Sequence, residues 1–172
     1  MEATETQLLE IKRVEQSTKD LSRDYFQYRP DYKKYVLTIQ VRYPAGKSDL
    51  KDMITTDKDA QLRQLAAAGC EIRDFLKNHN ENQYILIIEG QASKDNFLYN
   101  YELSYQRALG LMRFWIEDSN ITFGNNCEIL ISGSGDGKLD THSMRETSNE
   151  KENQRFLIHI LPKNIFEHNE NK

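Results

Sequence analysis

The amino-acid sequence predicts an α+β fold, with helices packed on a mixed four-stranded sheet and an extra helix before the first strand. Three observations support this prediction. Four short segments rich in isoleucine, leucine and valine have the length of strands. Two longer segments with apolar residues at three-to-four spacing separate the first three of them, and a long polar stretch precedes the fourth. The predicted order is therefore βαβαββ, with right-handed helical crossovers between strands that are parallel neighbours or near neighbours.

Residues 1–34 are predicted to form a helix and a linker. From residue 4 to about residue 28 the chain contains neither glycine nor proline, and Ile11, Val14 and Leu21 recur at helical spacing. Pro30 then ends the helix. Two interpretations of this helix stay open: it packs on its own domain, or it serves for self-association or as a linker from an anchor.

Residues 35–163 are predicted to form the domain, and the polar tail at residues 164–172 is expected to be flexible. The first strand is expected at residues 35–43 and is followed by a turn. A helix is expected from about residue 57 to residue 79, because Thr56 can cap it and acidic residues follow at the positive end of its dipole.

A second strand and a second helix follow. The strand at residues 84–89 is uninterrupted and ends at a glycine, and the helix after it ends near residue 118. The remaining strands are expected at residues 127–132 and 154–161. Between them, residues 133–153 are glycine-rich and then polar, which predicts a long exposed loop.

Composition argues against several classes of function. The 172 residues include 23 Lys and Arg against 27 Asp and Glu, giving a net charge of −4 without a basic cluster, so no nucleic acid partner is expected. No apolar run reaches the roughly 20 residues that span a bilayer. Cys70 and Cys127 are expected to be small core residues, with a disulfide between them left open. The histidines and serines lack the spacing of metal ligands or of a nucleophile with its base, so no metal, cofactor or catalytic residue is expected.

An ordered series of motifs runs through residues 35–162. In chain order they are Tyr43-Pro44-Ala45-Gly46-Lys47-Ser48-Asp49-Leu50, Gly90-Gln91-Ala92-Ser93, Tyr99-Asn100-x-x-Leu103-Ser104-x-x-Arg107-Ala108, Gly133-Ser134-Gly135 and Asn153-Gln154-Arg155. This series resembles the OmpA-like peptidoglycan-binding domains, the family of OmpA, Pal and MotB. The resemblance implies a non-catalytic domain that grips the peptide stem of peptidoglycan, most specifically its diaminopimelate residue.

The resemblance also implies a ligand site at Ser93, Asp95, Asn100, Arg107 and Arg155. Arg107 matches the family's carboxylate-binding arginine, and Asn100 matches an asparagine that lines the same loop. Arg155 is expected near the same pocket, at the start of the last strand. A diaminopimelate end carries both a carboxylate and an ammonium, so it needs a planar cationic fork for the first and an anion for the second.

The chain departs from the family at Ser93, where the family has the aspartate that binds the ammonium. Gln91 and Ala92 replace the preceding histidine and threonine, and the loop to Asn100 is one residue shorter. A serine carries no charge, and a neutral contact in place of an ion pair forfeits about 1–3 kcal/mol. Asp95, two residues further on, is the alternative anion.

Each site residue also has a purely structural interpretation. Arg107 can pair with Glu102 or Asp95 and cover apolar surface with its stem. Asn100 can act only as a helix cap, and Arg155 can keep an edge strand soluble.

Two functions therefore stay open. In the first, the domain binds peptidoglycan in the periplasm and tethers a membrane protein or complex to the cell wall, as in MotB. Its membrane anchor would lie outside this sequence, and its N-terminal helix would support a homodimer. In the second, a degenerate copy has lost the ligand and serves as a protein-interaction or assembly module. Ser93 favours the second function, whereas Asn100 with Arg107 favours the first.

Overall fold

A mixed five-stranded sheet forms the centre of the structure, a computed structural model that describes residues 4–163. The strands are β1 (Phe26–Arg29), β2 (Lys34–Leu37), β3 (Tyr84–Gly90), β4 (Cys127–Gly133) and β5 (Phe156–Pro162). Their order across the sheet is β1-β2-β5-β3-β4, and only β3 and β4 are parallel neighbours. The tail predicted to be flexible, residues 164–172, lies outside the described residues.

Within residues 4–163, three α-helices accompany the sheet: α1 (Glu5–Ser17), α2 (Lys58–Asn78) and α3 (Asn100–Arg113). The crossover through α3 joins the parallel neighbours β3 and β4. The crossover through α2 joins β2 to β3, which run in the same direction with β5 inserted between them. The α+β prediction is therefore confirmed, including its two helical crossovers.

The main core lies between the helices and one face of the sheet. Along β3, Tyr84, Leu86 and Ile88 are almost fully buried and point to this face, as the two-residue period of a strand requires. The α3 helix continues as one wider turn that carries Trp115, which is fully buried. The Trp115 indole N–H donates to the carbonyl of Leu65 in α2 at 2.7 Å, which joins the two helices.

The prediction of four strands was wrong, because β1 adds a fifth at one edge of the sheet. The N-terminal helix ends at Ser17, well before the expected residue 28. The chain then turns and pairs β1 with β2, placing Phe26 opposite Leu37. Phe26 is 2% exposed, so burial of an aromatic side chain in the sheet outweighs the weak helix propensity of this segment.

The first predicted strand is shorter than expected and ends at Leu37 instead of residue 43. Because β5 begins at Phe156, next to the Val36–Leu157 pair, the residues after Leu37 have no partner strand on that side. The chain stays alternately buried through Tyr43, but its backbone bonds to loops, as in the 2.8 Å bond from the Ile54 N–H to the Arg42 carbonyl. The next helix is capped by Asp57, and not by Thr56 as expected.

The long segment between β4 and β5 folds back over the second face of the sheet, so the expectation of an exposed loop was wrong in part. Met144 is 1% exposed and packs with Val36 and Leu157. Asn153 is fully buried and binds the backbone of Glu146 through both ends of its amide. This segment is polar and has no apolar stripe to bury. Met144 and Asn153 hold it against the sheet instead.

Two glycines let α3 lie unusually close to the sheet. Gly90 and Gly133 are paired in register at the ends of β3 and β4. A Cβ on Gly90 would lie 2.0 Å from the backbone oxygen of Ser104, and one on Gly133 would lie 2.6 Å from the backbone nitrogen of Tyr105. Only glycine fits at such a distance, so this pair fixes the position of α3 and of the side chains that it carries.

Candidate functional site

The first half of α3 carries the centre of the candidate site. Asn100 and Arg107 are seven residues apart, which is two helical turns, so both lie on one face of the helix. Both are buried, at 2% and 4% exposure. The Ser104 hydroxyl lies between them in sequence, accepts a hydrogen bond from the Gly135 N–H at 2.9 Å and so ties α3 to the loop after β4.

Arg107 is a buried cation without an anionic partner. Its Nε donates to the carbonyl of Lys47 at 2.9 Å, and its guanidinium carbon lies 4.3 Å from the centre of the Tyr43 ring. Within residues 4–163 it has no salt bridge and no other hydrogen bond. Burial lowers the pKa of Arg107 from its usual value, and the charges of Tyr43 and Asp95 act in the opposite direction. The two terminal nitrogens of the fork are therefore left for an anion from outside the chain.

The ring of Tyr43 packs against the guanidinium of Arg107. Its hydroxyl is buried and has no hydrogen-bond partner within the described residues. Burial raises the pKa of Tyr43 far above its usual value, so the ring stays neutral and presents its face to the guanidinium. The structural interpretation that pairs Arg107 with Glu102 or Asp95 is not what the structure shows, because the contact is with an aromatic ring and a carbonyl.

Asn100 bridges two carboxylates and does not cap the helix. Its Nδ2 donates to Oδ1 of Asp95 at 2.8 Å and to Oδ2 of Asp136 at 3.2 Å. The Phe97 N–H also donates to Oδ1 of Asp95, at 2.9 Å, so this carboxylate is held in place from two sides. Oδ2 of Asp95 has no hydrogen bond from any described residue, and Asp95 itself is exposed.

Asp136 and Lys138 belong to the same cluster, and sequence reasoning did not place them there. Asp136 is 2% exposed, and its carboxylate accepts from the backbone N–H of Lys138 and lies 3.3 Å from the Lys138 ammonium. Burial alone would raise the pKa of Asp136, but the hydrogen bonds from Lys138 and Asn100 and the charge of Lys138 outweigh it and the pKa is lowered. Sequence analysis identified the Gly133-Ser134-Gly135 motif; Asp136 follows it directly and Lys138 comes two residues later.

Ser93 and Arg155 both form hydrogen bonds with other residues of the chain. The Ser93 hydroxyl accepts from Nε2 of Gln154 at 3.0 Å. Nε of Arg155 donates to Oε1 of Gln91 at 2.8 Å, and Nη1 donates to Oε1 of Glu146 at 3.1 Å. Arg155 thus has an anionic partner within the chain, which Arg107 lacks among the described residues, although Nη2 of Arg155 is buried without a hydrogen bond there. The ligand roles of Ser93 and Arg155 stay predictions.

A second arginine shares the same glutamate. Nη1 of Arg29, in β1, lies 2.9 Å from Oε1 of Glu146. Hydrogen bonds from Arg29 and Arg155 hold the pKa of Glu146 below its usual value. This network fastens the segment before β5 to the hairpin of β1 and β2, so β1 contributes to the shape of the site region.

Large apolar side chains surround the Asn100 cluster and remain exposed. The exposed fractions are 87% for Leu98, 84% for Leu139, 60% for Tyr99 and 38% for Phe97. The Leu139 N–H donates to the Tyr101 hydroxyl of α3 at 2.8 Å, which places Leu139 beside the helix. We refer to Phe97, Leu98, Tyr99 and Leu139 as the apolar rim.

Within the described residues, no group of three or more His, Cys, Asp or Glu side chains is arranged to hold a metal ion. Cys70 and Cys127 are both unpaired, and burial raises the pKa of Cys127 to about 11. None of the helices that the structure describes is long and apolar enough to cross a bilayer.

No protein-family model and no curated protein matches this chain. Among solved structures, it is similar to a MotB-like protein from Desulfovibrio vulgaris, with 13% identity, a TM-score of 0.49, and coverage of 92% of this chain and 96% of that one. It is also similar to the periplasmic domain of Helicobacter pylori MotB, with 15% identity, a TM-score of 0.49, and coverage of 84% and 85%. A third is an outer-membrane protein from Borrelia burgdorferi, with 18% identity, a TM-score of 0.48, and coverage of 79% and 95%. These are likenesses of fold, and function rests on the chain's own residues.

Proposed function

We propose that this chain is a non-catalytic, OmpA-like domain that binds the stem peptide of peptidoglycan through a carboxylate of its diaminopimelate residue. The observation that carries this proposal is Arg107, which is 4% exposed and has no anionic partner within residues 4–163. Neither terminal nitrogen of Arg107 is among the fully buried side-chain atoms without a partner in the described residues, so both are open to a bound carboxylate, which would accept hydrogen bonds from them.

The ammonium of diaminopimelate would be met by Asp95. This carboxylate takes over from the family aspartate that Ser93 replaces, because Asn100 and the Phe97 N–H hold its Oδ1 and leave its Oδ2 open. Asp95 also acts electrostatically on Arg107. In this proposal the cation and the anion would meet the two charges at a diaminopimelate end.

The cellular role follows from the proposed ligand. A domain that binds peptidoglycan acts in the periplasm, and we propose that it tethers a membrane protein or complex to the cell wall. The membrane anchor would belong to a segment or a partner outside residues 1–172. A division into an N-terminal helix and linker (residues 1–34) and a binding domain (35–163) suits this role, although β1 joins the two parts in one sheet.

The test is a calorimetric titration with a stem peptide that contains diaminopimelate, compared with a peptide that contains lysine. We expect saturable binding of the first and weaker binding of the second, which lacks the terminal carboxylate. Arg107→Gln should weaken binding of the diaminopimelate peptide by at least about 30-fold, because it removes a buried charge pair. Arg113→Ala is the matched control, since Arg113 is an exposed arginine on the same helix.

The two variants should keep the thermal unfolding transition of a folded protein, so that lost binding is not mistaken for lost structure. Equal binding by wild type and Arg107→Gln would refute the proposed role of Arg107. No heat from either peptide at millimolar concentration would refute stem-peptide binding altogether.

A second candidate function is supported by the apolar rim. Leu98 and Leu139 are more than four-fifths exposed, and exposed apolar groups of this kind mark interaction surfaces. A degenerate domain that has lost its ligand would use this rim to bind a protein. On this hypothesis neither stem peptide binds the wild type, and Leu98→Ser combined with Leu139→Ser abolishes the interaction with the protein partner.

A homodimer through the N-terminal helix stays a prediction, with a change in the residues involved. Val14 and Leu21 are 1% and 5% exposed and pack in the core of their own chain, so they do not form a seam between two copies. Leu8 and Leu9 are 50% and 62% exposed on the same helix and are the side chains left for such a contact. Light scattering on wild type and on Leu8→Ser with Leu9→Ser would test it.

A further inference from the structure

A cavity of about 700 Å³ lies between the last turns of α1 and the hairpin of β1 and β2. Its lining comes from α1, the turn after it, β1 and Tyr35 of β2, so it shares no residue with the site around Asn100 and Arg107. The Tyr35 hydroxyl donates to the carbonyl of Thr18 at 3.2 Å, which holds the hairpin against the end of the helix. Sites for small molecules have volumes of about 300–1,000 Å³, so this cavity has the size of one.

The hairpin lines this cavity with three aromatic rings, those of Phe26, Tyr28 and Tyr35, which we refer to as the aromatic wall. The ring centres of Tyr28 and Tyr35 are 4.9 Å apart, and Phe26 meets Tyr35 edge to face at 6.4 Å. Tyr28 is 42% exposed, so its ring can be reached from solvent. An apolar molecule in the cavity would cover this ring and remove its surface from water.

Three cations and one carboxylate also line the cavity. The cations are Lys12, Lys19 and Arg23, which we refer to as the cationic edge. All three side chains are exposed, and none of them forms an ion pair among the described residues. The carboxylate is that of Glu15, whose Oε1 lies 3.8 Å from the ammonium of Lys33. A local excess of positive charge in a chain with a net charge of −4 attracts anions to this place.

We propose that this cavity binds a small amphipathic anion, with an aromatic or acyl body against the aromatic wall and one carboxylate, sulfonate or phosphate group at the cationic edge. A neutral apolar molecule would use the wall alone, and a small inorganic anion would use the edge alone. Only a ligand that carries both features matches both parts of the lining. This site is separate from the stem-peptide site, so it gives the domain a second ligand.

The experiment is a fluorescence titration with two probes that share one aromatic body. The first is 8-anilinonaphthalene-1-sulfonate, and the second is N-phenyl-1-naphthylamine, which lacks the sulfonate. The proteins are wild type, Lys19→Gln with Arg23→Gln, and Tyr28→Thr, whose β-branched side chain suits a strand. Lys94→Gln with Arg63→Gln is the matched control, because it removes one lysine and one arginine that are exposed and lie outside the cavity. Thermal unfolding checks that each variant is folded.

We expect saturable binding of the sulfonate by wild type. Lys19→Gln with Arg23→Gln should weaken it by about 3- to 10-fold, the size of two exposed ion pairs, and should change binding of the neutral amine by less than about two-fold. Tyr28→Thr should weaken binding of both probes by at least about five-fold, because both lose an aromatic contact. The control variant should bind both probes like wild type.

Equal affinity of wild type and Lys19→Gln with Arg23→Gln for the sulfonate would overturn the preference for an anion. Absence of saturable binding by wild type, or affinities that Tyr28→Thr leaves unchanged, would overturn binding in this cavity. A wild-type dimer that Tyr28→Thr converts to a monomer in light scattering would assign the cavity to a second copy of the chain and overturn the small molecule as its occupant. None of these readings depends on the stem-peptide titration.

Discussion

Replacing Gly90 by alanine changes the closest contact between α3 and the sheet. The added Cβ would lie 2.0 Å from the Ser104 carbonyl oxygen, whereas ordinary van der Waals contact begins near 3.4 Å, so the helix must retreat by about 1.4 Å. The atom in the way belongs to the backbone and cannot rotate aside. Overpacking of this kind costs about 1–3 kcal/mol, and we expect the upper end of that range.

The assay is urea unfolding followed by circular dichroism, with thermal unfolding beside it. A loss of about 3 kcal/mol should lower the melting temperature by about 6–12 °C in a domain of this size. Gly110→Ala is the matched control, because Gly110 lies in the same helix and its Cβ would come no closer than 3.3 Å to the Ser48 carbonyl oxygen. Its gain in helix propensity, about 1 kcal/mol, should offset that tight contact.

Because Gly90 also sets the position of Arg107, its alanine variant should bind the diaminopimelate peptide more weakly than wild type, and Gly110→Ala should not. Gly90→Ala with the unfolding free energy of wild type would refute the close approach of α3. Gly90→Ala that is destabilised but binds the peptide with unchanged affinity would refute the link between that approach and the site.

Two further predictions concern side chains that hold distant segments together. Glu146→Gln should lose about 1–3 kcal/mol of unfolding free energy at pH 7, because it removes the charge that Arg29 and Arg155 share. The folded state lowers the pKa of Glu146, so the stabilisation by its carboxylate is present above the unfolded pKa of about 4.3 and is lost as the pH falls through the folded pKa. The unfolding free energies of the variant and the wild type, measured with urea, should therefore converge in acid. A difference that stays constant with pH would contradict this. Asn126→Asp should cost about 3 kcal/mol or more in the same assay, because the Asn126 amide donates to three backbone carbonyls around the end of α2 and a carboxylate would face them as an acceptor. Asn126→Ser, which keeps one donor, should cost less, and equal stability of the aspartate variant and wild type would show that these bonds contribute little.

Periodicity was sufficient for the elements that bury an apolar stripe. Both crossover helices and the strands β3, β4 and β5 lie within a few residues of their predicted bounds, because a residue spacing of two or of three to four reflects burial directly. It failed where burial was contributed by single residues. Phe26 is the one buried residue of β1, and it lies opposite Leu37 in the sheet.

The candidate site divides in the same way. The motif in α3 was sufficient to predict that Asn100 and Arg107 share a helix face, since two turns of helix separate them. It could not show that Arg107 lacks an anionic partner or that Arg155 has one, because these contacts join residues far apart in the chain. Arg107 binds the carbonyl of Lys47, 60 residues away, and Arg155 binds Glu146 and Gln91, 9 and 64 residues away. Lys138 was missed because its contact with Asp95 spans 43 residues.

The sequence by itself determined the α+β class, the order of the central elements and the face of α3 that carries the candidate site, because local periodicity and motif spacing record which side of each element is buried. Only the tertiary structure decided which charges are paired. The loop before β5 folds over the sheet and delivers Glu146 to Arg155 and Lys138 to Asp136, and it brings no carboxylate into pairing distance of Arg107. Charge pairing depends on distances of a few ångströms between groups far apart in the chain, which a sequence does not contain.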